Sequence, residues 1–491
     1  MTAVLFAGCS PEVAAGPDGR ILAVGAGARA AAGRGAEVVR LGGRALPGFI
    51  DAHTHLEGLA YGNLDLQLGG AASLEEVLKR VEAWARRLPP GGWVDGSGWY
   101  NDSWGDPKFP TKRQLDVAAG GRPAYLRRKD GHSAWVSSAA LQLAGIDSTT
   151  ADPAGGVIDR DGRGAPTGIL RETAMQLVSG IIPPASDADL DVAMASALES
   201  LSAFGITSVH SMDSARGFAS LQRLRDKDAL KVRVTYNLPL ADLGHAERLG
   251  VRSGWGDDWL RIWGVKAFLD GSLGSRTAEM LDGSGTARLL QADLVDMIER
   301  CARAELNVCL HAIGDGAVRR ALDALARRRV EWPFWRPRIE HAQCVDPKDV
   351  PRFARIGVIA SMQPIHAVAD RALADQYWPR VTANSYAWGA LERAGARLAF
   401  GSDAPVETAD PLLGIDAATA WRRRAAWHPE LSVSRARAER AYTAGGAFAV
   451  GMERRLGSLS AGKLCDMTVV EDGGVAATVV GGKVSWRRTP H

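Results

Sequence analysis

The strongest constraint on the fold is the alternation of eight apolar, strand-like segments with helical stretches through the middle of the chain. Two of the intervening stretches, 294–304 and 317–328, have the apolar spacing of amphipathic helices. Strands that alternate with helices predict a parallel sheet, and eight of them match a (β/α)8 barrel. We predict the barrel strands at 45–52, 206–210, 232–237, 262–268, 308–312, 338–341, 358–362 and 398–401.

The two ends of the chain differ from the middle, because they contain short strands broken by turns. Asp18-Gly19 near one end and Asp472-Gly473-Gly474 near the other are turn signals beside apolar runs. Chain ends often lie close together in domains. We therefore predict one small β-sandwich built from both termini, residues 1–46 and 456–491.

One connection in the predicted barrel is too long for a simple repeat. Residues 53 to 205 separate the first strand from the second, whereas a βαβ unit needs roughly 30 residues. We predict an inserted domain at 57–175, with the barrel itself at 47–56 and 176–455. Since the insertion leaves the barrel at the catalytic end of the first strand, we expect it to form a lid or a pocket wall.

Composition excludes several other classes of protein. The 491 residues are 46% hydrophobic and 23% charged, which is ordinary for a large globular chain. The 59 basic residues nearly balance the 56 acidic ones, so the charge excess of a nucleic-acid-binding protein is absent. No segment of the sequence is long and apolar enough to span a membrane. The five cysteines are scattered and odd in number, which indicates a reduced, cytoplasmic protein.

The first chemical signal is the motif His53-Thr54-His55 at the end of an apolar strand. Residues i and i+2 of a strand project to the same face, so both imidazoles can converge on one ion. Neutral imidazole is the commonest side-chain ligand for metals. Taken alone, the motif fits two incidental histidines equally well.

Four more polar residues lie at or near the C-terminal ends of their own predicted strands: Lys266, His311, His341 and Asp403. In a (β/α)8 barrel those ends surround one mouth, where catalytic groups are found. A shared site explains this placement better than four separate accidents do. The sequence therefore predicts a metal site at the mouth of the barrel.

The same segments belong to a longer series of motifs, namely PGFIDAHTHL, DGHSAW, GITSVH, VKAFLDGSLGSRTA, HAIGDGA, EHAQ, SMQPIH, FGSDAPVE, RAYTAGGAFA and GSLSAGKLCDMTVV. Together they resemble the amidohydrolase superfamily, in the branch that includes N-substituted formamide deformylases. The resemblance covers essentially the whole chain. It is specific for family and fold and weak for substrate, and it implies a metal-dependent hydrolase.

The resemblance also implies how the metals are held. One ion would be bound by His53, His55 and Asp403, and a second by His311 and His341. Lys266 matches the position where relatives can carry a carboxylated lysine that bridges two metals. The modification would be required, because an ammonium group has no lone pair. A salt bridge from Lys266 to Asp270 and a single-metal site stay open. Zinc suits these nitrogen and oxygen donors, with manganese and iron as alternatives.

The implied reaction is hydrolysis of a C–N bond in an amide, formamide or carbamate-like small molecule by metal-bound hydroxide. A metal lowers the pKa of bound water from 15.7 to about 7. Asp403 would accept the proton as a general base and return it to the leaving nitrogen as an acid. A cyclic amide, lactone or ester stays open at the same site, as does a non-catalytic regulatory protein on this fold.

Three residues are candidates for substrate contacts: His132, His366 and Trp99. The resemblance suggests that His132 reaches the site from the inserted domain, although a role inside that domain is an equally good interpretation. Trp99 is one of several aromatic residues near predicted rim segments, where an apolar pocket would form. We expect a small-molecule substrate with an apolar or aromatic group and a homodimer, with no nucleic-acid or membrane partner.

Overall fold

The computed structural model describes residues 2–89, 91–105, 108–129, 131–327 and 330–489. The chain divides into two compact units, which are Met1–Leu59 with Met194–His491, and Ala60–Ala193. We call them unit 1 and unit 2. Across these described ranges, no helix has both the length and the apolar character needed to cross a membrane.

An eight-stranded parallel sheet forms the centre of unit 1, and its strands pair in the order of the chain. We label them β1 to β8: Phe49–Thr54, Ile206–Ser211, Arg233–Pro239, Leu260–Phe268, Asn307–Ala312, Arg338–His341, Ile359–Met362 and Arg397–Phe400. The sheet edges meet where the backbone N–H of Asp403 donates to the carbonyl of His53 at 2.7 Å, and that of His55 to Ala404 at 2.8 Å. The predicted (β/α)8 barrel is confirmed.

The predicted first strand, 45–52, is wrong in extent because it spans two different sheets. Arg44–Pro47 pairs antiparallel with Met467–Glu471 in a terminal sheet, and β1 begins only at Phe49. A Cβ at position 48 would lie 2.2 Å from Thr207 Oγ1. Gly48 therefore lets the chain pass close to β2 at the point where it changes from one sheet to the other.

The two predicted amphipathic helices occur as Gln291–Arg303 and Asp315–Ala326. Each buries one apolar face, as Leu294, Met297 and Ile298 do on the first. The other α-helices wholly in unit 1 are Ala28–Ala32, Ala215–Asp226, Leu243–Leu249, Val350–Ile356, His366–Tyr377, Trp388–Arg393, Pro411–Asp416, Arg422–Arg424, Arg435–Arg440 and Gly446–Ala449. Two more, Leu56–Leu64 and Asp187–Ala203, contain the points where the chain leaves and re-enters unit 1.

Both ends of the chain fold into two four-stranded sheets that share one core, in which Phe6 and Val479 are buried. The strands are Val4–Ala7, Val13–Ala15, Ile21–Val24 and Glu37–Arg40 in one sheet, and Arg44–Pro47, Met467–Glu471, Gly474–Val480 and Lys483–Arg487 in the other. A buried ion pair attaches this sandwich to the barrel, since Arg233 Nε on β3 donates to Asp466 Oδ2 at 2.7 Å.

Unit 2 is a six-stranded sheet with its own helices. In sheet order the strands are Gly156–Arg160, Pro166–Glu172, Ser133–Val136, Ala124–Arg128, Val94–Trp99 and Leu66–Gln67. The helices wholly inside it are Leu74–Ala85, Lys112–Ala118, Ser138–Leu143 and Gln176–Ser179. This unit occupies the long connection between β1 and β2 in the chain. Its role as a lid stays a prediction.

Trp99, selected from the sequence as a substrate contact, lies inside the core of unit 2. Its side chain has no exposed surface, and its Nε1 donates to the carbonyl of Leu126 at 2.8 Å. The rings of Trp104, Phe109 and Trp135 surround it at centroid distances of 6.1 Å. The indole is therefore a packing element and presents no face to a ligand.

Candidate metal centre

The C-terminal ends of the barrel strands bring five potential ligands together. His53 lies on β1 with His55 just beyond it, His311 lies on β5, His341 ends β6, and Asp403 follows β8. The ring centroids are 5.5 Å apart for His53 and His55, 4.8 Å for His53 and His341, and 4.4 Å for His311 and His341. All five side chains that the sequence selected as imidazole or carboxylate ligands thus meet at one mouth.

Three of these side chains are arranged most closely for a single ion. Asp403 Oδ1 lies 3.4 Å from His53 Nε2 and 3.2 Å from His55 Nε2. The potential ligand atoms of the three residues all lie within 4.8 Å of one another. Two imidazole nitrogens and a carboxylate oxygen suit a transition metal. The residues present therefore fit a metal at this position.

His311 and His341 each keep one ring nitrogen for a further partner. His311 Nε2 donates to the carbonyl of Gly271 at 3.0 Å, and in the described structure its Nδ1 is buried with no hydrogen-bond partner. His341 Nδ1 lies 2.9 Å from Gln363 Oε1, which leaves Nε2 for other contacts. A buried nitrogen without a partner costs free energy, and a bound metal would relieve that cost at His311.

Lys266 points from β4 into the same cluster. Its Nζ lies 3.1 Å from His53 Nε2, and burial lowers the pKa of this amine. The alternative partner, Asp270, instead accepts hydrogen bonds from the backbone N–H groups of Ile313 and Gly314. Among the described residues no ion pair joins Lys266 to Asp270. The position of Lys266 favours a role at the metals, while its carboxylation stays a prediction.

Burial also shifts the protonation of the ligands themselves. Desolvation first, and then the charge of Lys266, lower the pKa of His53 to about 4 and that of His311 to about 3. Burial alone would raise the pKa of Asp403, but the neighbouring His53 and a hydrogen bond from His55 hold it well below its usual range. Neutral imidazole and anionic carboxylate are the forms that bind metals.

Asp51, which the sequence analysis did not identify as a site residue, connects the end of β1 to the end of β8. Its Oδ1 accepts from the backbone N–H of His53 at 3.1 Å and of Ser402 at 2.9 Å, and its Oδ2 accepts from the Ser402 hydroxyl. Two of the candidate ligands, His341 and Asp403, have φ angles of 70° and 61°. Left-handed backbone at such residues costs about 1–3 kcal/mol and clusters at functional sites.

His366, selected as a substrate contact, lies beside Asp403. His366 Nε2 is 3.7 Å from Asp403 Oδ2, and His366 Nδ1 is 3.2 Å from Gln343 Nε2. The two oxygens of Asp403 therefore face different groups. His132, the other histidine selected, belongs to unit 2, where it is exposed and lies 3.0 Å from Glu172 Oε1. Its contact with substrate stays a prediction.

An exposed aromatic ring also lies beside the ligands. Phe268 ends β4 and is 43% exposed, and its ring centroid is 5.0 Å from that of His311. The sequence offered a signal for it, since Phe268 follows Lys266 by two positions and so shares its face of the strand. An exposed aromatic at a polar centre can supply apolar contact to a ligand.

Known proteins are similar to this chain in sequence. The sequence profile of the amidohydrolase family matches residues 38–483. The chain is 33% identical to the protein LONG AFTER FAR-RED 3 of Arabidopsis thaliana over 95% of this chain and 87% of that protein. It is 29% identical to N-substituted formamide deformylase of Arthrobacter pascens, over 92% of this chain and 88% of that enzyme.

A solved structure agrees with these sequence matches. The crystal structure of an uncharacterized metal-dependent hydrolase from Pyrococcus furiosus aligns with a TM-score of 0.77 and 31% identity, over 96% of this chain and 98% of that one. Because the family profile spans nearly the whole chain and the barrel mouth gathers a fitting set of metal ligands, this protein belongs to the amidohydrolase family and is a metal-dependent hydrolase.

Proposed function

We propose that the protein cleaves a C–N bond in an amide, formamide or carbamate-like small molecule. The observation that carries this proposal is the orientation of Asp403, whose Oδ1 is the oxygen nearer to His53 and His55, while its Oδ2 is the oxygen nearer to His341 and His366. A nitrogen leaving group needs a proton more than an alkoxide does, because an amide anion is far more basic. A carboxylate oxygen beside the ligand pair can supply that proton.

The side chains at the mouth would have different roles in this reaction. His53, His55 and Asp403 would hold the first ion, and His311 and His341 would offer donors to a second. A bound zinc, manganese or iron ion would acidify a water molecule and polarise the substrate carbonyl. Asp403 would hold the proton released from water at Oδ2 and pass it to the leaving nitrogen. The depressed pKa of Asp403 keeps the carboxylate anionic, which is the form that binds a metal ion.

The proposal is tested with matched substrates that share one acyl group and differ only in the bond that is cleaved. We expect the metal-loaded protein to accelerate linear amides and formamides over their uncatalysed rates more than it accelerates the corresponding esters and lactones. A larger acceleration of cyclic amides or lactones would contradict the proposed bond. Stoichiometric metal without any turnover across a broad panel would instead favour the regulatory alternative.

Phe268 provides a prediction about the substrate side chain. Phe268 is 43% exposed, so covering the exposed part of an apolar side chain that is worth about 1.5–3 kcal/mol in full contributes about 0.6–1.3 kcal/mol, or roughly 3- to 10-fold in kcat/KM. Phe268→Ala should lower kcat/KM by that factor for amides with an aromatic substituent, and much less for small aliphatic ones. Phe268→Tyr is the matched control and should retain most of the activity. Equal losses on both substrate classes would show that Phe268 does not contact the substituent.

We also propose that the protein works in a reducing compartment, in keeping with the cytoplasmic location predicted from its sequence. All five cysteines are buried, free thiols. Such thiols need no oxidising environment to reach the folded state. The homodimer expected from the sequence analysis is kept as a proposal for the oligomeric state.

A further inference from the structure

A buried ion pair lies in the barrel interior next to the metal ligands. Arg338 and Glu340 are two positions apart on β6 and are both fully buried. Arg338 Nε lies 2.8 Å from Glu340 Oε1, and Arg338 Nη2 donates to Glu340 Oε2 at 3.1 Å. Removing two charges from water costs several kcal/mol per ion, and hydrophobic residues in their place are often as stable. The stability of the fold alone therefore does not explain this pair.

The guanidinium of Arg338 is fixed by three other strands. Its Nη1 lies 2.8 Å from His210 Nδ1 on β2, and its Nη2 donates to Ser361 Oγ on β7 at 3.0 Å. Nη2 also donates to the carbonyl of Ala52 on β1. Contacts with several strands at once leave the planar group one orientation. Glu340 therefore has a charged neighbour that cannot swing away.

Glu340 also contacts a candidate metal ligand. Glu340 Oε2 lies 2.7 Å from His53 Nδ1. A carboxylate can only accept here, so Nδ1 of His53 carries the proton and Nε2 keeps its lone pair. That Nε2 is the atom that lies 3.4 Å from Asp403 Oδ1. A carboxylate behind a ligating imidazole orients the ring and increases its basicity.

His341 differs from His53 in the partner of its Nδ1. His341 Nδ1 is paired with the neutral amide oxygen of Gln363 at 2.9 Å, whereas His53 has an anionic partner. Charge-assisted hydrogen bonds are roughly twice as strong as neutral ones. The Nδ1 of His53 is therefore held by a stronger hydrogen bond than the Nδ1 of His341.

We propose that Glu340 is the positioning residue that aims His53 at the metal, and that Arg338 holds Glu340 in place for this purpose. The inference rests on the metal-dependent reaction assigned to this mouth and extends it to residues that do not touch the ion or the substrate. Both oxygens of Glu340 lie within 3.1 Å of the Arg338 guanidinium. A positive neighbour at this distance favours the anionic carboxylate that faces His53.

The test is the affinity of the full-length protein for zinc, measured by competition with a chelator in the absence of substrate. Glu340→Gln keeps the size of the side chain and one oxygen but removes the charge. Loss of such an outer partner typically weakens metal affinity by about 10- to 100-fold, and we expect that loss here. The visible spectrum of the cobalt-loaded variant should also change, because the angle or basicity of His53 changes.

Asp466→Asn is the matched control. It also neutralises a carboxylate buried against an arginine, but the partner Arg233 lies at the start of β3 and contacts none of the five ligands in the described structure. We expect a lower Tm with unchanged zinc affinity and an unchanged cobalt spectrum. A loss of zinc affinity equal to that of Glu340→Gln would overturn the proposal, because general loosening of the barrel would then explain both results.

Glu340→Asp covers the case in which Glu340→Gln fails to fold. Glu340→Asp keeps the negative charge but has a side chain shorter by one methylene group. Its zinc affinity should lie between those of wild type and Glu340→Gln. If Glu340→Gln is insoluble, the zinc affinity of Glu340→Asp should still be below that of wild type. Wild-type zinc affinity in a folded Glu340→Gln or Glu340→Asp variant would overturn the proposal. The zinc measurement contains no substrate, so its outcome does not depend on whether the protein cleaves a C–N bond or another bond.

Discussion

Removal of bound metal is expected to abolish hydrolysis, and restoring zinc or manganese should bring the activity back. The described side chains at the mouth supply a base, Asp403, but no Lewis acid. A metal lowers the pKa of water from 15.7 to about 7, and a carboxylate alone cannot replace that effect. We expect one to two ions per chain by elemental analysis of the purified protein, and activity that follows metal content during titration with a chelator.

The control for metal removal is the folded state of the metal-free protein. Circular dichroism and the Tm should show that the barrel persists, since its core is apolar and the strands pair through backbone hydrogen bonds. Full activity in protein whose metal content has been shown to be negligible would refute the assignment of the centre. Activity restored by one ion per chain, with no gain from a second, would establish a single-metal site.

Asp403→Asn should lower kcat by at least about 10²- to 10⁴-fold, the usual contribution of general acid–base assistance. The amide keeps the size of the side chain and one oxygen toward His53 and His55, so part of the metal should stay bound. The proton acceptor at Oδ2 is lost. Because proton transfer belongs to the transition state, the loss should appear in kcat more than in KM.

Metal content must be measured for the same Asp403→Asn samples, because simple loss of a ligand would also lower kcat. Asp466→Asn again serves as a control for the neutralised, buried carboxylate and should keep near-normal kcat. If Asp403→Asn turns over at a near-normal rate with its metals in place, another group carries the proton. His366, 3.7 Å from Asp403 Oδ2, would then be tested first and His132 second.

The tertiary structure was needed for residues whose partners lie far away in the chain. Glu340 and His53 are 287 positions apart, and Asp51 and Ser402 are 351 apart. No local pattern marks such a pair, because side-chain hydrogen bonds depend on how strands are placed around the barrel. Glu340 lies in the motif EHAQ and Asp51 in the motif PGFIDAHTHL, but no neighbouring residue in the sequence indicates what either side chain contacts.

The exposure of aromatic residues also could not be predicted from the sequence. Trp99 and Phe268 are both bulky and apolar, and the sequence analysis predicted a substrate contact for Trp99 and none for Phe268. Trp99 is enclosed by the core of unit 2, while Phe268 is 43% exposed beside His311. Burial depends on which elements pack around a residue, and that is a property of the assembled unit.

The sequence by itself determined the barrel and the place of its candidate metal ligands, since both depend on local rules. Alternating strands and helices specify a parallel sheet, and polar residues at the C-terminal ends of its strands must then meet at one mouth. Only the tertiary structure decided where the first strand begins, which ring nitrogens stay free, and which buried carboxylate stands behind His53. Those features depend on distances of a few ångströms between strands, and one-dimensional spacing does not encode such distances.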